Sequence, residues 1–159
     1  MGHSARVMDK GGAQDGCMDT ELTYAECLDL LRSARVGRMA FCTPSGPHIV
    51  PVNFVVVDDS IVVRTTPYSA LGTYGWTSRL AFEVDETDAA TRQGWSVVAT
   101  GRGEMVRDRD EIEFLHAFHD PQPWASGARI LYLRLPWTGL SGRRVGAATS
   151  TARTRGSAI

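Results

Sequence analysis

The segment from Ile61 to Gly72 carries the side chains best suited to bind an anion. β-Branched residues at its start predict a strand, which ends at Arg64 and is followed by Thr65, Thr66 and, in a short loop, Ser69. A guanidinium matches the two-point geometry of a phosphate, and hydroxyls add hydrogen bonds without further charge. The pattern indicates a phosphorylated ligand, and an ordinary solvated sheet edge is the alternative that it leaves open.

Other residue types that support catalysis or metal binding do not form a convincing set. His116 and His119 lie three residues apart on a predicted helix, but no carboxylate or cysteine stands at a spacing that would complete a metal site. The chain shows no Ser-His-Asp or Cys-His arrangement and no Gly-rich dinucleotide fingerprint. We therefore predict no metal site, and no residue is identified as a catalytic acid or base.

Several polar strand residues have structural as well as functional interpretations. Arg38 could reach a cofactor phosphate or be an exposed strand arginine, and the sequence supports both equally. Glu83 and Asp85 share one strand face and are interpreted as structural, because no sugar-binding pattern accompanies them. His48 is interpreted as a solvated strand residue, with contact to a ligand as the alternative.

Composition limits the classes of function. The 159 residues suit one domain, and a formal net charge of −1 with mixed signs favours neither nucleic acid nor a membrane surface as a partner. Cysteines stand at positions 17, 27 and 42, an odd number without CxxC spacing, which favours a reducing, cytoplasmic setting. No apolar run approaches the length of a membrane helix, and we expect no signal peptide.

The first half of the chain predicts a helix followed by a three-stranded meander. The helix runs from about Thr23 to Ser33, and Thr23 with Glu26 forms a capping-box spacing. The strands are expected at Arg35–Thr43, His48–Val57 and Ile61–Thr65. Turns at Pro44–Pro47 and Asp58–Ser60 separate them.

The second half adds two helices and further strands. In chain order we expect a short helix at Ser69–Trp76, a strand at Arg79–Val84, a loop at Asp85–Gly94, a long strand at Trp95–Val106 with glycines that allow a barrel corner, a helix at Asp110–His119, and strands at Ala128–Leu135 and Trp137–Arg144. The ends, residues 1–18 and 146–159, are expected to be disordered tails around one domain at 19–145. The fold class is mainly β, a six-stranded antiparallel barrel with a few short helices.

Five short motifs in a fixed order resemble the pyridoxamine 5'-phosphate oxidase-like family of flavin-binding split barrels. The resemblance covers roughly residues 22 to 145 and is carried by Val36–Phe41, Pro47–Val56, Val62–Gly72, Leu80–Asp85 and Gly94–Glu104. Each motif is permissive by itself, whereas five in sequence over one domain are fairly specific. The resemblance implies a split β-barrel of the FMN-binding type.

The resemblance also implies a homodimer that binds two FMN molecules at the interface between its subunits. The positions that match the family's cofactor contacts are Val52, Asn53 and Phe54 along the ring system, Arg64, Thr65 and Thr66 near the phosphate and ribityl chain, Ser69, Ala70 and Leu71 in the phosphate loop, and Trp95 and Ser96 on the ring or phosphate side.

Two departures from the family pattern bear on activity. Ala70 and Leu71 stand where the better-known oxidases have basic residues, so Arg64 would carry more of the phosphate charge. Losing one or two charge-assisted contacts, each worth about 1.5–3 kcal/mol, would weaken flavin binding tenfold or more. The C-terminal WTGLSGRR also lacks the basic and aromatic pattern that holds a pyridine ring and its phosphate. Oxidation of pyridoxamine phosphate is therefore not the expected reaction.

The leading interpretation is an FMN-dependent oxidoreductase that acts on an unassigned small molecule. The resemblance also implies a first alternative, a deazaflavin-dependent reductase of the same fold, because actinobacterial relatives use that cofactor in the same groove. The Arg- and Ala-rich composition, with Lys10 as the single lysine, suggests a high-GC organism and agrees with this alternative. The others are a non-catalytic protein that binds a flavin or, with His48 as a possible contact, a haem, and a dimeric barrel without cofactor. The flavin itself would carry the hydride chemistry.

Overall fold

The computed structural model describes residues 19–146, so the two predicted tails lie almost entirely outside the described residues. Eight strands and three helices follow in order: β1 (Thr20–Glu21), α1 (Tyr24–Ser33), β2 (Val36–Thr43), β3 (Gly46–Val57), β4 (Ser60–Thr65), α2 (Ala70–Tyr74), β5 (Arg79–Asp88), β6 (Gln93–Arg102), β7 (Glu104–Met105), α3 (Arg109–Phe118) and β8 (Leu131–Val145). No helix within residues 19–146 is long and apolar enough to cross a membrane.

Six long antiparallel strands close into a barrel. Around the ring, β8 pairs with β4, then β3, β2, β5 and β6 follow, and β6 pairs again with β8. The 15-residue β8 makes closure possible, because its first part lies against β4 and its second part against β6. The two-residue strands β1 and β7 both add to β8. The predicted mainly-β, six-stranded antiparallel barrel is confirmed.

Alternation along the strands places the core inside the barrel. In β4, Ile61 and Val63 face the interior, where they are fully buried with Met39 and Phe82. Val62 points the other way and packs with Tyr132 and with Leu115 of α3 in a second, smaller cluster. Each fully buried side chain of this size contributes about 1.5–3 kcal/mol. β4 therefore has one face in the barrel core and one face under α3.

The helices begin at the side chains that cap them. Thr23 caps α1, accepting from the backbone N–H of Glu26, and the Glu26 carboxylate accepts from the Thr23 N–H at 2.8 Å, which confirms the predicted capping box. Ser69 caps α2, which runs from Ala70 to Tyr74 and is therefore shorter than the helix predicted at Ser69–Trp76. Asp108 caps α3, accepting at 2.9 Å from the N–H of Glu111, so this helix begins at Arg109.

The predicted loop at Asp85–Gly94 is mostly a hairpin. β5 continues to Asp88 and β6 begins at Gln93, with these two residues paired across the turn. The side chain of Asp88 accepts from the N–H of Ala90 at 2.8 Å and shapes the turn. The polar sequence concealed the strands because most residues of this hairpin are exposed.

The predicted boundaries around β8 were also wrong. One continuous strand replaces the two expected at Ala128–Leu135 and Trp137–Arg144, because Pro136 lies within the ladder opposite Ser60 rather than ending it. Residues 128–130 are not strand. The long strand expected at Trp95–Val106 is instead divided into β6 and β7.

The predicted glycine corner is present in β6. The register between β6 and β8 shifts between Thr100 and Gly101. A Cβ at Gly101 would lie 2.1 Å from the carbonyl oxygen of Pro136, so only glycine permits this close approach of the two strands.

Candidate functional site

The loop after β4 is closed by hydroxyl hydrogen bonds. Thr65 Oγ1 lies 2.8 Å from Ser69 Oγ, which donates to the carbonyl oxygen of Thr66 at 2.9 Å. Ser69 Oγ also accepts from the N–H of Gly72 at 2.9 Å. Thr65 is 3 % exposed and Thr66 is half-buried. The predicted phosphate loop is thus a closed turn in which the hydroxyls of Thr65 and Ser69 already have protein partners.

Arg64 points away from Thr65, onto the outer face of β4 beneath the segment that follows α3. Its Nη1 donates to both carboxylate oxygens of Asp120 at 3.0 Å, and its Nε donates to the carbonyl oxygen of Arg129 at 2.8 Å. The guanidinium also lies 5.3 Å from the ring centroid of Tyr132. Residues 120 and 129 are therefore both tied to β4 through one side chain.

The ion pair affects the protonation of its surroundings. Burial by itself would raise the pKa of Asp120, but the Gln122 N–H and the Arg64 guanidinium outweigh it and hold that pKa below its ordinary value. The pKa of Tyr132 is raised, chiefly by burial. Asp120 therefore remains ionised in the folded protein at neutral pH.

The three predicted ring contacts on β3 divide between the faces of the strand. Phe54 is buried in the barrel core and Val52 packs against that core. Asn53 lies on the outer face, where its Oδ1 accepts from the N–H of Trp124 at 3.0 Å and its Nδ2 donates to the Arg35 carbonyl oxygen at 3.4 Å. Ala70 is exposed and Leu71 is buried in the core.

A groove follows the outer face of β3. It has a volume of about 380 Å³ and is lined by Arg35, Asn53, Phe54, Val55, Asp120, Pro121, Gln122 and Trp124. A second groove of about 400 Å³ shares Arg35, Phe54, Val55, Asp120 and Gln122 with it, and adds Arg32, His116 and His119 among its lining residues. The sequence did not identify Arg32 or Arg35, which no motif distinguishes from other exposed arginines.

Trp95 lies at a different groove, beside the end of β8, which has a volume of about 350 Å³ and is also lined by Glu86 and Arg144. Ser96 lines a smaller groove of about 220 Å³, together with Trp95 and Arg143. Trp95 pairs with Arg144 and Ser96 with Arg143. The sequence prediction did not identify either arginine as a site residue; both lie near the end of β8, where it pairs with β6 on one side and with β1 on the other.

One chain does not bring its predicted cofactor residues together. Arg64 pairs with Tyr132 and Ser96 with Arg143, positions far apart along β8. In the other direction around the ring, β3, β2 and β5 separate β4 from β6. The path along the sheet is about 19 Å for these four strand spacings. The predicted residues therefore form two groups on different sides of the barrel. The first group lies on β3, on β4 and in the loop after β4, and the second is Trp95 and Ser96 on β6.

The residues of both groups suit a ligand that has a flat ring and an anionic end. The groove at Trp95 offers an indole with Arg143 and Arg144 on the neighbouring strand, and the groove at Asn53 offers an amide beside Arg35. A flavin nucleotide has both parts. Arg64 already donates to Asp120, and its contact with a phosphate remains a prediction.

The remaining candidates have structural partners. Arg38 forms an ion pair with Asp85 across the sheet. The ring of His48 stacks on Phe41 at 5.7 Å. His116 Nδ1 lies 3.6 Å from Asp120 Oδ2, and residues 19–146 contain no group of three metal-ligating side chains.

Comparison with known proteins agrees with this architecture. A family model described as pyridoxamine 5'-phosphate oxidase matches residues 23–144. The uncharacterized protein Rv0080 of Mycobacterium tuberculosis is 33 % identical over 114 residues, which cover 68 % of this chain and 73 % of that protein.

Two solved structures extend the comparison. The FAD binding protein from Mycobacterium smegmatis is 30 % identical with a TM-score of 0.66, covering 79 % of this chain and 98 % of that one. A putative pyridoxamine 5'-phosphate oxidase from Corynebacterium glutamicum is 28 % identical with a TM-score of 0.67, covering 82 % and 95 %. The matched residues span all six long strands of the barrel, and the chain belongs to the pyridoxamine 5'-phosphate oxidase-like family.

Proposed function

We propose that this protein is a flavin-dependent oxidoreductase that binds its cofactor between two copies of the chain. One observation carries the proposal: the predicted cofactor residues form two groups on different sides of one barrel. A C2 dimer places such groups opposite each other twice, because each copy contributes one group to each site. The cysteine pattern favours a reducing, cytoplasmic setting for this dimer.

In this proposal the first group comes from one copy and the second from its partner. Val52–Phe54 would run along the ring, and the closed loop from Thr65 to Leu71 would present its backbone to the phosphate end. Trp95 and Ser96 of the other copy would complete the pocket. Arg64 would contribute to the phosphate end only to the extent that Asp120 leaves its guanidinium free.

A bound flavin would accept and donate hydride, while the chain binds it, orients it and keeps water from the ring. FMN is the first choice of cofactor, as the sequence predicted. FAD is the second, because the Mycobacterium smegmatis relative, at 30 % identity, is an FAD binding protein. Ala70 and Leu71 bring no positive charge to the loop, so we expect weaker FMN binding than a loop with a basic residue would give.

The test is an absorbance spectrum of the purified protein, followed by titration with FMN, FAD and a deazaflavin. Flavin bands, or saturable binding of FMN or FAD at micromolar concentration, support the proposal. Binding of deazaflavin alone, or a haem Soret band alone, would show that a deazaflavin or a haem, and not FMN or FAD, is the cofactor. Binding of flavin without reduction by NADH or NADPH and without oxidation of the reduced form by electron acceptors would favour a carrier over an enzyme.

A further inference from the structure

The two grooves along the outer face of β3 adjoin each other, and we call the pair the β3 trough. Arg35, Phe54, Val55, Asp120 and Gln122 line both grooves, which have volumes of about 380 and 400 Å³. Their combined size is that of a small-molecule site. The trough lies between β3 on one side and the end of α3 with the segment that follows it on the other, and the end of α1 borders it.

The charge lining the β3 trough is positive. Arg32 and Arg35 line it, and neither has a carboxylate within 4.0 Å among the described residues. Asp120 is the one carboxylate in the lining, and Arg64 compensates its charge from the side of β4. Arg32 lies in the last turn of α1, where it offsets the partial negative charge of the helix end. Arg35 lies beyond the helix and has no such role.

Both walls around Arg35 are fixed before any ligand arrives. The carbonyl oxygen of Arg35 accepts from the Phe54 N–H and from Asn53 Nδ2, each at 3.4 Å, while its side chain remains exposed. In the opposite wall, Arg64 holds Asp120, whose Oδ1 accepts from the Gln122 N–H at 3.1 Å. The backbone that carries Arg35 and the wall formed by Asp120 and Gln122 therefore need no rearrangement when an anion binds.

Arg64 is not among the residues that line the trough, whereas Asp120, to which it donates, lines both grooves. We propose that the β3 trough is an anion-binding site whose cationic contact is Arg35, and that it takes the phosphate or carboxylate group of a small molecule. Arg64 contributes indirectly, because it fixes Asp120 in the wall opposite Arg35. Two sources supply such a group, the phosphate of the flavin or an acidic group on the substrate.

The probes are inorganic pyrophosphate, FMN and riboflavin, which lacks the phosphate. Arg35→Gln is compared with Arg79→Gln, which removes the same charge from an exposed position on β5 that lines neither groove. Calorimetry measures binding of pyrophosphate and fluorescence measures binding of each flavin at low salt. Thermal melting confirms that both variants fold.

We expect Arg35→Gln to weaken pyrophosphate binding about tenfold, the loss of one charge-assisted contact, and Arg79→Gln to leave it unchanged. If the flavin supplies the anion, Arg35→Gln also lowers the affinity for FMN but not for riboflavin. If the substrate supplies it, both flavin affinities stay unchanged. Absence of pyrophosphate binding, or equal losses in the two variants, would overturn the proposal.

The flavin comparison depends on the proposed function, whereas the pyrophosphate measurement does not. A protein that binds pyrophosphate through Arg35 and binds no flavin would contradict the proposed function and leave the anion site in place. A protein that binds flavin but shows no loss of pyrophosphate binding in Arg35→Gln would contradict the anion site and leave the proposed function in place.

Discussion

Arg64 Nη1 donates to both carboxylate oxygens of Asp120 at 3.0 Å, and the two side chains are only 18 and 20 % exposed. Arg64 Nε also donates to the carbonyl oxygen of Arg129, so the guanidinium binds the segment after α3 near both of its ends. The residue that the sequence identified as a phosphate ligand therefore has a structural role, in which it connects β4 to that segment.

The Arg64–Asp120 ion pair predicts a measurable coupling energy. We expect Arg64→Gln and Asp120→Asn each to lower the free energy of unfolding by about 1–3 kcal/mol, because either change leaves a partly buried charge without its partner. The double variant should lose less than the sum of the two, as urea denaturation would show.

The exposed pair Arg109–Glu113 provides the matched control, since its side chains are 89 and 65 % exposed. Its coupling energy should be about 0.5 kcal/mol or less. Strictly additive losses at Arg64 and Asp120 would show that the two side chains do not stabilise each other.

The lowered pKa of Asp120 predicts how stability depends on pH. Its folded-state pKa lies below the unfolded value of 3.8, so the ionised group stabilises the fold above that value and loses this contribution as pH falls through the folded pKa. Between neutral pH and pH 3 the wild type should lose more stability than Asp120→Asn, measured by urea denaturation at each pH. Parallel pH profiles would contradict this prediction.

A shared cofactor site predicts complementation between two disabled chains. Ala70→Asp adds a charge that repels phosphate in the loop, and Ser96→Asp adds a charge in the other group of predicted residues. Neither homodimer should bind FMN. A heterodimer, isolated with two different tags, combines both changes in one site and leaves the other intact, so it should bind about one FMN per dimer.

Two wild-type chains with the same tags provide the control and should bind about two FMN per dimer under the proposed C2 arrangement. A tagged heterodimer that binds no FMN would show that each site belongs to a single chain.

The loop after β4 predicts a strict requirement for glycine at position 72. A Cβ there would lie 2.1 Å from the Thr66 carbonyl oxygen, so Gly72→Ala must open the loop that Ser69 closes. We expect a loss of about 1–3 kcal/mol and weaker flavin binding. Gly139→Ala, whose added Cβ would meet only the Thr100 hydroxyl, should be milder in thermal melts. Equal losses would show that the loop does not require this close approach.

Local patterns predicted much of the fold because the forces behind them act over a few residues. Thr23 and Glu26 satisfy each other within one helical turn, and the alternation in β4 places Ile61 and Val63 inside the barrel. The β5–β6 hairpin and the continuity of β8 through Pro136 escaped prediction. Polar exposed strands and a proline look like loop until a partner strand provides the hydrogen bonds.

By itself the sequence determined the barrel, the cap of α1 and the family, since side-chain periodicity, capping chemistry and motif order are properties of the chain alone. Only the tertiary structure decided where the chemically capable side chains lie. It brought Asp120 to the guanidinium of Arg64 and placed Ser96 on another side of the barrel. Such relationships join residues distant in the chain, and no local pattern contains them.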